Sequence, residues 1–156
     1  MRSVCDMTGY QEGMTGFDRF VAELQQQINE QEQALYSAKV IEEAQDPKNL
    51  GRMPEPDVRG LVHGWCGDAM EVYLRLEGER IKEIAFMTDG CGPTLACGSM
   101  LTRLVQGMSL EEASGIGPED LIAALDGLPE GSVHCAELAV STLHNALFNW
   151  RAENRP

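Results

Sequence analysis

Basic residues are scarce in this sequence. Its 156 residues include 12 Lys and Arg against 25 Asp and Glu, which gives a formal net charge of −13 at pH 7. A surplus of acidic groups opposes association with nucleic-acid phosphates and with anionic membrane surfaces, because like charges repel. We therefore expect neither nucleic acid nor membrane among the partners.

Long apolar runs are also missing. The first ten residues, MRSVCDMTGY, contain no apolar stretch of the kind found in signal peptides. No later run approaches the roughly 20 apolar residues of a membrane-spanning helix. These two absences predict a cytoplasmic protein.

The third absence is a Cys-x-x-Cys pair. Five cysteines occur, at positions 5, 66, 91, 97 and 135, and an odd number in a chain of this size argues against a secreted disulfide framework. Their wide spacing also differs from zinc-finger patterns built on short Cys-x-x-Cys pairs. Free thiols, a metal site and redox chemistry remain as interpretations.

What is present is typical of a globular chain. Hydrophobic residues make up 43% and charged residues 24% of the sequence, close to the average for folded domains. The length fits one core with an appendage. We predict an N-terminal extension over residues 1–33, partly helical, and one domain over residues 34–156.

The first part of the chain is helical in pattern. Thr15 to Asp18 resembles a capping box, and the apolar residues that follow recur at helical spacing. This predicts a helix from about residue 16. A second helical stretch spans Leu35 to Ala44 and stops before Pro47, and residues 46–57 are predicted to form a linker or loop.

From Val58 the hydrophobic period changes to two. Met70, Val72, Leu74 and Leu76 alternate with polar residues, as in a half-buried strand. Gly78-Glu79 predicts a tight hairpin into a strand over about Arg80 to Thr88. Residues 61–65 can add a third antiparallel strand before these two.

After Gly92-Pro93 the pattern becomes helical again. A helix ending at Gly107 is predicted, followed by short helices from Ser109 and Pro118, and by a long last helix from about Val133. Three strands followed by helices predict an α+β fold, with helices packed on a small three-stranded antiparallel sheet.

Three cysteines fall at junctions of these predicted elements, namely Cys66, Cys91 and Cys135. Asp68 and His134 lie beside them and add oxygen and nitrogen donors. Zinc and iron–sulfur clusters both select thiolate-rich sites with four ligands. A buried cysteine that only fills the core is the simpler interpretation for any one of them, but three cysteines at turns favour a site.

Several ordered motifs resemble one known family, the IscU/NifU-type scaffolds of iron–sulfur cluster assembly. The resemblance covers nearly all of residues 34–156, with motifs at matching separations: Tyr36-Ser37, Lys39-Val40-Ile41, Pro47-Lys48-Asn49-Leu50-Gly51, Cys66-Gly67-Asp68, Thr88-Asp89-Gly90-Cys91-Gly92, Gly107-Met108-Ser109-Leu110-Glu111-Glu112-Ala113, Leu128-Pro129 and His134-Cys135.

The resemblance implies a function that is not enzymatic in the ordinary sense. It implies that the protein receives sulfur from a cysteine desulfurase, holds iron and sulfide as a nascent cluster of [2Fe–2S] type, and passes the cluster to apo-proteins. An electron donor such as a ferredoxin is a further implied partner, and zinc is a substitute metal. The site residues implied by carry-over are Cys66, Asp68, Cys91, His134 and Cys135, with Cys135 as the persulfide acceptor.

The sequence departs from the family at two places. The loop before His134 reads Leu128-Pro129-Glu130-Gly131-Ser132 and lacks the lysine of scaffolds served by an Hsp70-type chaperone, which argues against that docking. Cys97 stands where the family usually has serine. Its position on an apolar stripe favours packing in the core, with a spare ligand as the alternative.

Two other classes of protein are alternatives. A zinc-binding sulfur-acceptor or interaction domain that never builds a cluster shares the same donors. A thiol hydrolase fits less well, because adjacent His134 and Cys135 diverge by about 100° on a helix and do not readily form an oriented nucleophile–base pair.

Overall fold

The computed structural model describes residues 15–65 and 67–154. The chain divides into two compact units, residues 1–35 and 36–156. In the first unit, helix α1 spans Gly16–Leu35. The backbone N–H of Asp18 donates to the hydroxyl of Thr15 at 3.2 Å, and the Thr15 N–H donates to the Asp18 carboxylate at 2.9 Å. The predicted capping box is therefore confirmed.

The second unit contains one antiparallel sheet in the order β1-β2-β3. Its strands are β1 (Val58–His63), β2 (Ala69–Glu77) and β3 (Arg80–Thr88). Gly78 has a φ of 63°. Residues that carry a side chain rarely adopt this backbone conformation, and the hairpin turn between β2 and β3 requires it. The predicted alternation holds for Met70, Val72 and Leu74, which are fully buried, but Tyr73 on the other face is also buried and Leu76 is only half-buried.

Helices cover one face of this sheet. They are α2 (Ala38–Gln45), α3 (Gly92–Val105), α4 (Leu110–Ser114), α5 (Pro118–Ala124) and α6 (Val133–Glu153), with a 3₁₀ turn over Glu130–Ser132 before α6. Helix α6 packs against β1 and β2, α3 packs against β3 and α6, and α2 packs against α3. The α+β architecture predicted from the sequence is confirmed.

Close helix–strand contact depends on two glycines. A Cβ added at Gly60 of β1 would lie 2.5 Å from the carbonyl oxygen of Thr142 and 2.6 Å from the backbone nitrogen of Ala146. A Cβ at Gly98 of α3 would lie 2.3 Å from the ring of Phe86. The absence of side chains at these positions lets α6 and α3 approach the sheet.

Three element boundaries differ from the sequence prediction. Strand β1 begins at Val58 rather than Leu61 and ends at His63, because its residues pair with β2 from Leu74 to Ala69. Helix α2 begins at Ala38 because the Ser37 hydroxyl accepts from the N–H of Val40 at 3.1 Å and caps it.

The segment 46–57 is more than a linker. The N–H of Phe86 donates to the carbonyl of Asn49 at 3.0 Å, and the N–H of Gly51 donates to the carbonyl of Phe86 at 2.9 Å. The loop therefore pairs with the outer edge of β3, which would otherwise expose unpaired backbone groups.

None of the helices in residues 15–65 and 67–154 combines the length and the apolar character that crossing a membrane requires.

Candidate functional site

Three junctions meet at one end of the sheet: the β1–β2 loop, the β3–α3 junction and the start of α6. The hydroxyl of Thr88 donates to the carbonyl of Ala69 at 2.6 Å, and the N–H of Ala69 donates to the carboxylate of Asp89 at 2.8 Å. These bonds tie the first two junctions together. Strand pairing thus places Asp68 beside the segment that carries Cys91.

Asp68 ends a tight turn between β1 and β2. The N–H of Gly67 donates to the carbonyl of Gly64 at 3.0 Å, and Gly67 has a φ of 96°. That backbone conformation favours glycine. The carboxylate of Asp68 is half-buried and faces the first turn of α3, where its Oδ2 lies 3.4 Å from the hydroxyl of Thr94.

Cys91 is the residue that precedes α3. Its backbone is extended, and its thiol makes no capping hydrogen bond to the helix. Pro93 suits the first turn, where the missing N–H has no helical partner. The Cys91 side chain is exposed, so its sulfur is accessible to a metal or to another protein.

His134 and Cys135 lie in the first turn of α6. The Cys135 sulfur lies 3.6 Å from Nε2 of His134, although successive helical residues diverge by about 100°. The reach of the imidazole overcomes that divergence. Cys135 is 2% exposed, whereas His134 is half-buried.

An aromatic side chain lies over the imidazole. The rings of Trp65 and His134 have centroids 5.4 Å apart and planes tilted by 59°, a geometry typical of favourable ring contacts. Trp65 is 84% exposed. Trp65, His134 and Glu137 also line a cavity of about 200 Å³, which gives the site a solvent-facing side.

The residue that joins these groups is Thr94, which the sequence analysis missed. Its hydroxyl lies 3.4 Å from Cys135 Sγ, 3.4 Å from Asp68 Oδ2 and 3.9 Å from Cys91 Sγ. Thr94 is fully buried. The signal was available, because Thr94 lies three residues after Cys91 and residues at that spacing share a helix face.

The structure therefore brings four of the five predicted site residues together: Asp68, Cys91, His134 and Cys135. Cys66 and Cys5 lie outside the described residues. Within residues 15–65 and 67–154, no three His, Cys, Asp or Glu side chains are arranged closely enough to hold a metal ion. The donor chemistry of thiol, imidazole and carboxylate suits iron or zinc, and metal ligation stays a prediction.

Cys97 belongs to the core, although its thiol is near those of Cys135 and Cys91. It is fully buried in the core. Burial, together with the neighbouring thiols of Cys135 and Cys91, raises the pKa of Cys97 far above its ordinary value. A thiol in such surroundings stays protonated and unreactive, which supports core packing over a role as spare ligand.

Fold and site together define an α+β domain that displays thiol, carboxylate and imidazole groups at one end of its sheet. Residues 35–155 match the model of the NifU-like N terminal domain. The chain belongs to the family of NifU-like N terminal domains. The family resemblance predicted from the sequence motifs is confirmed.

Curated relatives agree with this assignment. The chain is 36% identical over 121 residues to the iron–sulfur cluster assembly scaffold protein IscU 1 of Archaeoglobus fulgidus, covering 77% of this chain and 79% of that protein. It is 36% identical over 123 residues to the IscU scaffold protein of Haemophilus influenzae, covering 76% of this chain and 97% of that protein.

A solved structure shows the same fold. The N-terminal part of a nitrogen-fixing NifU-like protein from Brucella abortus aligns with a TM-score of 0.62 at 20% identity, covering 78% of this chain and 96% of that one. The three-stranded sheet, its helices and the long last helix are therefore the fold of this family.

Proposed function

We propose that this protein is an iron–sulfur cluster assembly scaffold. It accepts sulfur from a cysteine desulfurase, binds iron, holds a labile cluster and transfers the cluster to apo-proteins, with an electron donor such as a ferredoxin supplying reduction. The observation that carries the proposal is the convergence of Asp68, Cys91 and Cys135 on one buried hydroxyl, within 3.4 to 3.9 Å. Relatives named as cluster assembly scaffold proteins support it.

The donor set suits a cargo that has to be both held and released. Thiolates bind iron–sulfur clusters firmly, and Cys66, Cys91 and Cys135 supply three of them. A carboxylate oxygen is a harder donor than sulfur, so Asp68 makes one corner of the site exchangeable. A [2Fe–2S] cluster is the proposed cargo, with zinc as a substitute metal at the same donors.

Cys135 is the proposed acceptor of persulfide sulfur. Because it is 2% exposed, the side chains that cover it have to move before a donor persulfide can reach its sulfur. His134 lies 3.6 Å from that sulfur. An imidazole at this distance can take the place of Cys135 on iron while the cysteine carries sulfur, so the two residues alternate as ligands.

The cellular setting belongs to the same proposal. A cysteine desulfurase and the recipient apo-proteins are the partners of a scaffold that works in the cytoplasm. Docking of an Hsp70-type chaperone is not proposed, because the turn Glu130–Ser132 before α6 contains no lysine, and Ser132 stands where the chaperone-served scaffolds carry one.

Anaerobic reconstitution tests the function. The metal-free protein is incubated with ferrous iron, cysteine, a cysteine desulfurase and a reduced ferredoxin as electron donor, and visible absorption and acid-labile sulfide are measured. We expect a coloured protein with stoichiometric iron and sulfide. The triple variant C66S/C91S/C135S should lose the cluster, whereas C97S serves as the matched control and should retain it.

Two results would contradict the proposal. If the triple variant assembles a cluster to wild-type occupancy, the site is wrong. If the wild type binds metal but yields neither colour nor sulfide, the zinc-binding sulfur-acceptor is the better function, since zinc is a d¹⁰ ion and its complexes with these donors do not absorb visible light.

A further inference from the structure

We propose that Thr94 is a positioning residue of this site, whose hydroxyl orients Asp68 and Cys135 for the incoming metal. This inference rests on the proposed function, since it concerns the same donors. Its basis is a meeting of three chain segments at one atom. The Thr94 hydroxyl on α3 contacts Asp68 Oδ2 and Cys135 Sγ, each at 3.4 Å.

The hydrogen-bond partners of the Thr94 hydroxyl differ from those of two other buried threonines on the helices. Thr102 donates to the carbonyl of Ser99 at 2.8 Å, and Thr142 donates to the carbonyl of Leu138 at 2.7 Å. Such bonds within a helix are the usual outlet for a buried threonine. Thr94 instead directs its hydroxyl to side chains that come from the β1–β2 loop and from α6.

The position of Thr94 requires a glycine at position 90. A Cβ added at Gly90 would lie 2.7 Å from Thr94 Cβ and 2.8 Å from its hydroxyl oxygen. Glycine at position 90 therefore provides the space that the threonine side chain occupies. Since Thr94 is fully buried, solvent does not compete for the hydroxyl as it would at the surface.

A threonine hydroxyl carries one proton. Asp68 and Cys135 both lie within its range, so Thr94 donates to one of them at a time. A carboxylate that accepts this bond through Oδ2 keeps Oδ1 available for metal. The hydroxyl thus holds Asp68 in one orientation before metal arrives, and it can donate to the Cys135 sulfur when Asp68 moves away.

Partners that orient metal ligands contribute strongly to affinity, and their loss commonly weakens metal binding by about 10-fold or more. We expect T94V, which preserves shape and removes the hydroxyl, to weaken binding of Co²⁺ to the metal-free protein by about 10-fold. The absorption bands of bound Co²⁺ should also shift, because the ligand geometry changes. T94S, which keeps the hydroxyl, should restore both readings.

The matched control is T142V. It removes a buried helical hydroxyl of the same kind, but that hydroxyl bonds within α6 and not to the site donors. T142V should bind Co²⁺ with wild-type affinity and spectrum. Equal affinities for T94V and wild type would overturn the inference. So would equal losses in T94V and T142V, since loosening of the fold would then explain both.

A second pair of variants keeps the test decisive if T94V does not fold. T94A and T94S both remove the methyl group, and only T94A also removes the hydroxyl. The 10-fold difference in Co²⁺ affinity is then expected between these two, and equal affinities would overturn the inference. Absence of any Co²⁺ binding to the wild type would overturn it as well.

Failure of the proposed function gives a different result. Co²⁺ binding is measured without sulfide and without a desulfurase. A wild type that binds Co²⁺ but assembles no cluster would contradict the scaffold function and leave the role of Thr94 supported by its variants. A cluster that assembles on the wild type, with Co²⁺ bound equally by T94V, would contradict the role of Thr94 alone.

Discussion

Glu43 on α2 and Arg103 on α3 form an ion pair in which the carboxylate is buried and the guanidinium is half exposed. The side chain of Glu43 is 4% exposed and that of Arg103 is 51% exposed. Glu43 also accepts a hydrogen bond from the hydroxyl of Ser99, which in turn accepts from the N–H of Lys48 at 2.7 Å. This network joins α2, α3 and the loop that follows α2.

Because only the carboxylate of this ion pair is buried, we expect substitutions of Glu43 and Arg103 to lower the free energy of unfolding by different amounts. R103M leaves a buried carboxylate without its cation and should lower the free energy of unfolding by about 1–3 kcal/mol. E43M replaces the carboxylate by an apolar group of similar size, leaves Arg103 to water and removes the acceptor of the Ser99 hydroxyl. Because a neutral hydroxyl without its partner costs less than a buried charge without its partner, the cost of E43M should be smaller. Urea denaturation of both variants measures the order, and a larger loss in E43M would contradict the assignment.

A side chain at position 60 is expected to disturb the packing of α6 on β1. The methyl group of G60A would lie 2.5 Å from the backbone of α6, and a helix backbone cannot yield as a flexible side chain can. We expect a loss of about 1–3 kcal/mol in the free energy of unfolding. G131A is the matched control, because a Cβ there meets nothing within 4 Å. Similar stabilities for the two variants would show that α6 does not press on β1.

Burial of Cys97 predicts a dependence of stability on pH. Burial raises the pKa of Cys97 above its ordinary value of 9.0. Below that value the thiol is protonated in both states. Above it, the unfolded chain loses the proton while the folded protein retains it, so stability falls as pH rises. The fall contributed by this thiol approaches about 1.4 kcal/mol per pH unit.

C97A removes this titration and provides the comparison. Between pH 7 and about pH 9, the difference in unfolding free energy between wild type and C97A should be constant. At higher pH the wild type should lose stability more steeply.

In the metal-free folded protein, Cys91 should react with an alkylating agent well before Cys97. Rapid labelling of Cys97 would disprove its burial.

Asp68 is expected to govern release of the cluster. D68A removes the harder donor of the proposed ligand set, so the cluster should persist longer and transfer more slowly to an apo-protein. The measurement is the decay of visible absorption together with activation of an acceptor. D68E, which keeps the carboxylate, is the companion variant. Wild-type lifetime and transfer rate in D68A would remove Asp68 from this role.

Much of the fold could be predicted from local pattern. The period-two alternation around Met70 to Leu76 predicted β2, and the Gly78 turn fixed the hairpin with β3. Capping residues Thr15 and Ser109 marked helix starts within a few residues. These signals are local, because hydrogen bonds and side-chain directions repeat within a few residues of each element.

The sequence by itself determined the order of the elements and the candidate donors Cys66, Asp68, Cys91, His134 and Cys135, because periodicity and motif spacing are properties of the chain. Only the tertiary structure decided that Thr94 joins three of these donors, that Glu43 meets Arg103, and that the loop 46–57 pairs with β3. Apart from the contact between Thr94 and Cys91, which are three residues apart, these contacts unite residues far apart in sequence. Which polar groups meet in a folded core is set by how helices pack on the sheet, and local pattern does not encode that packing.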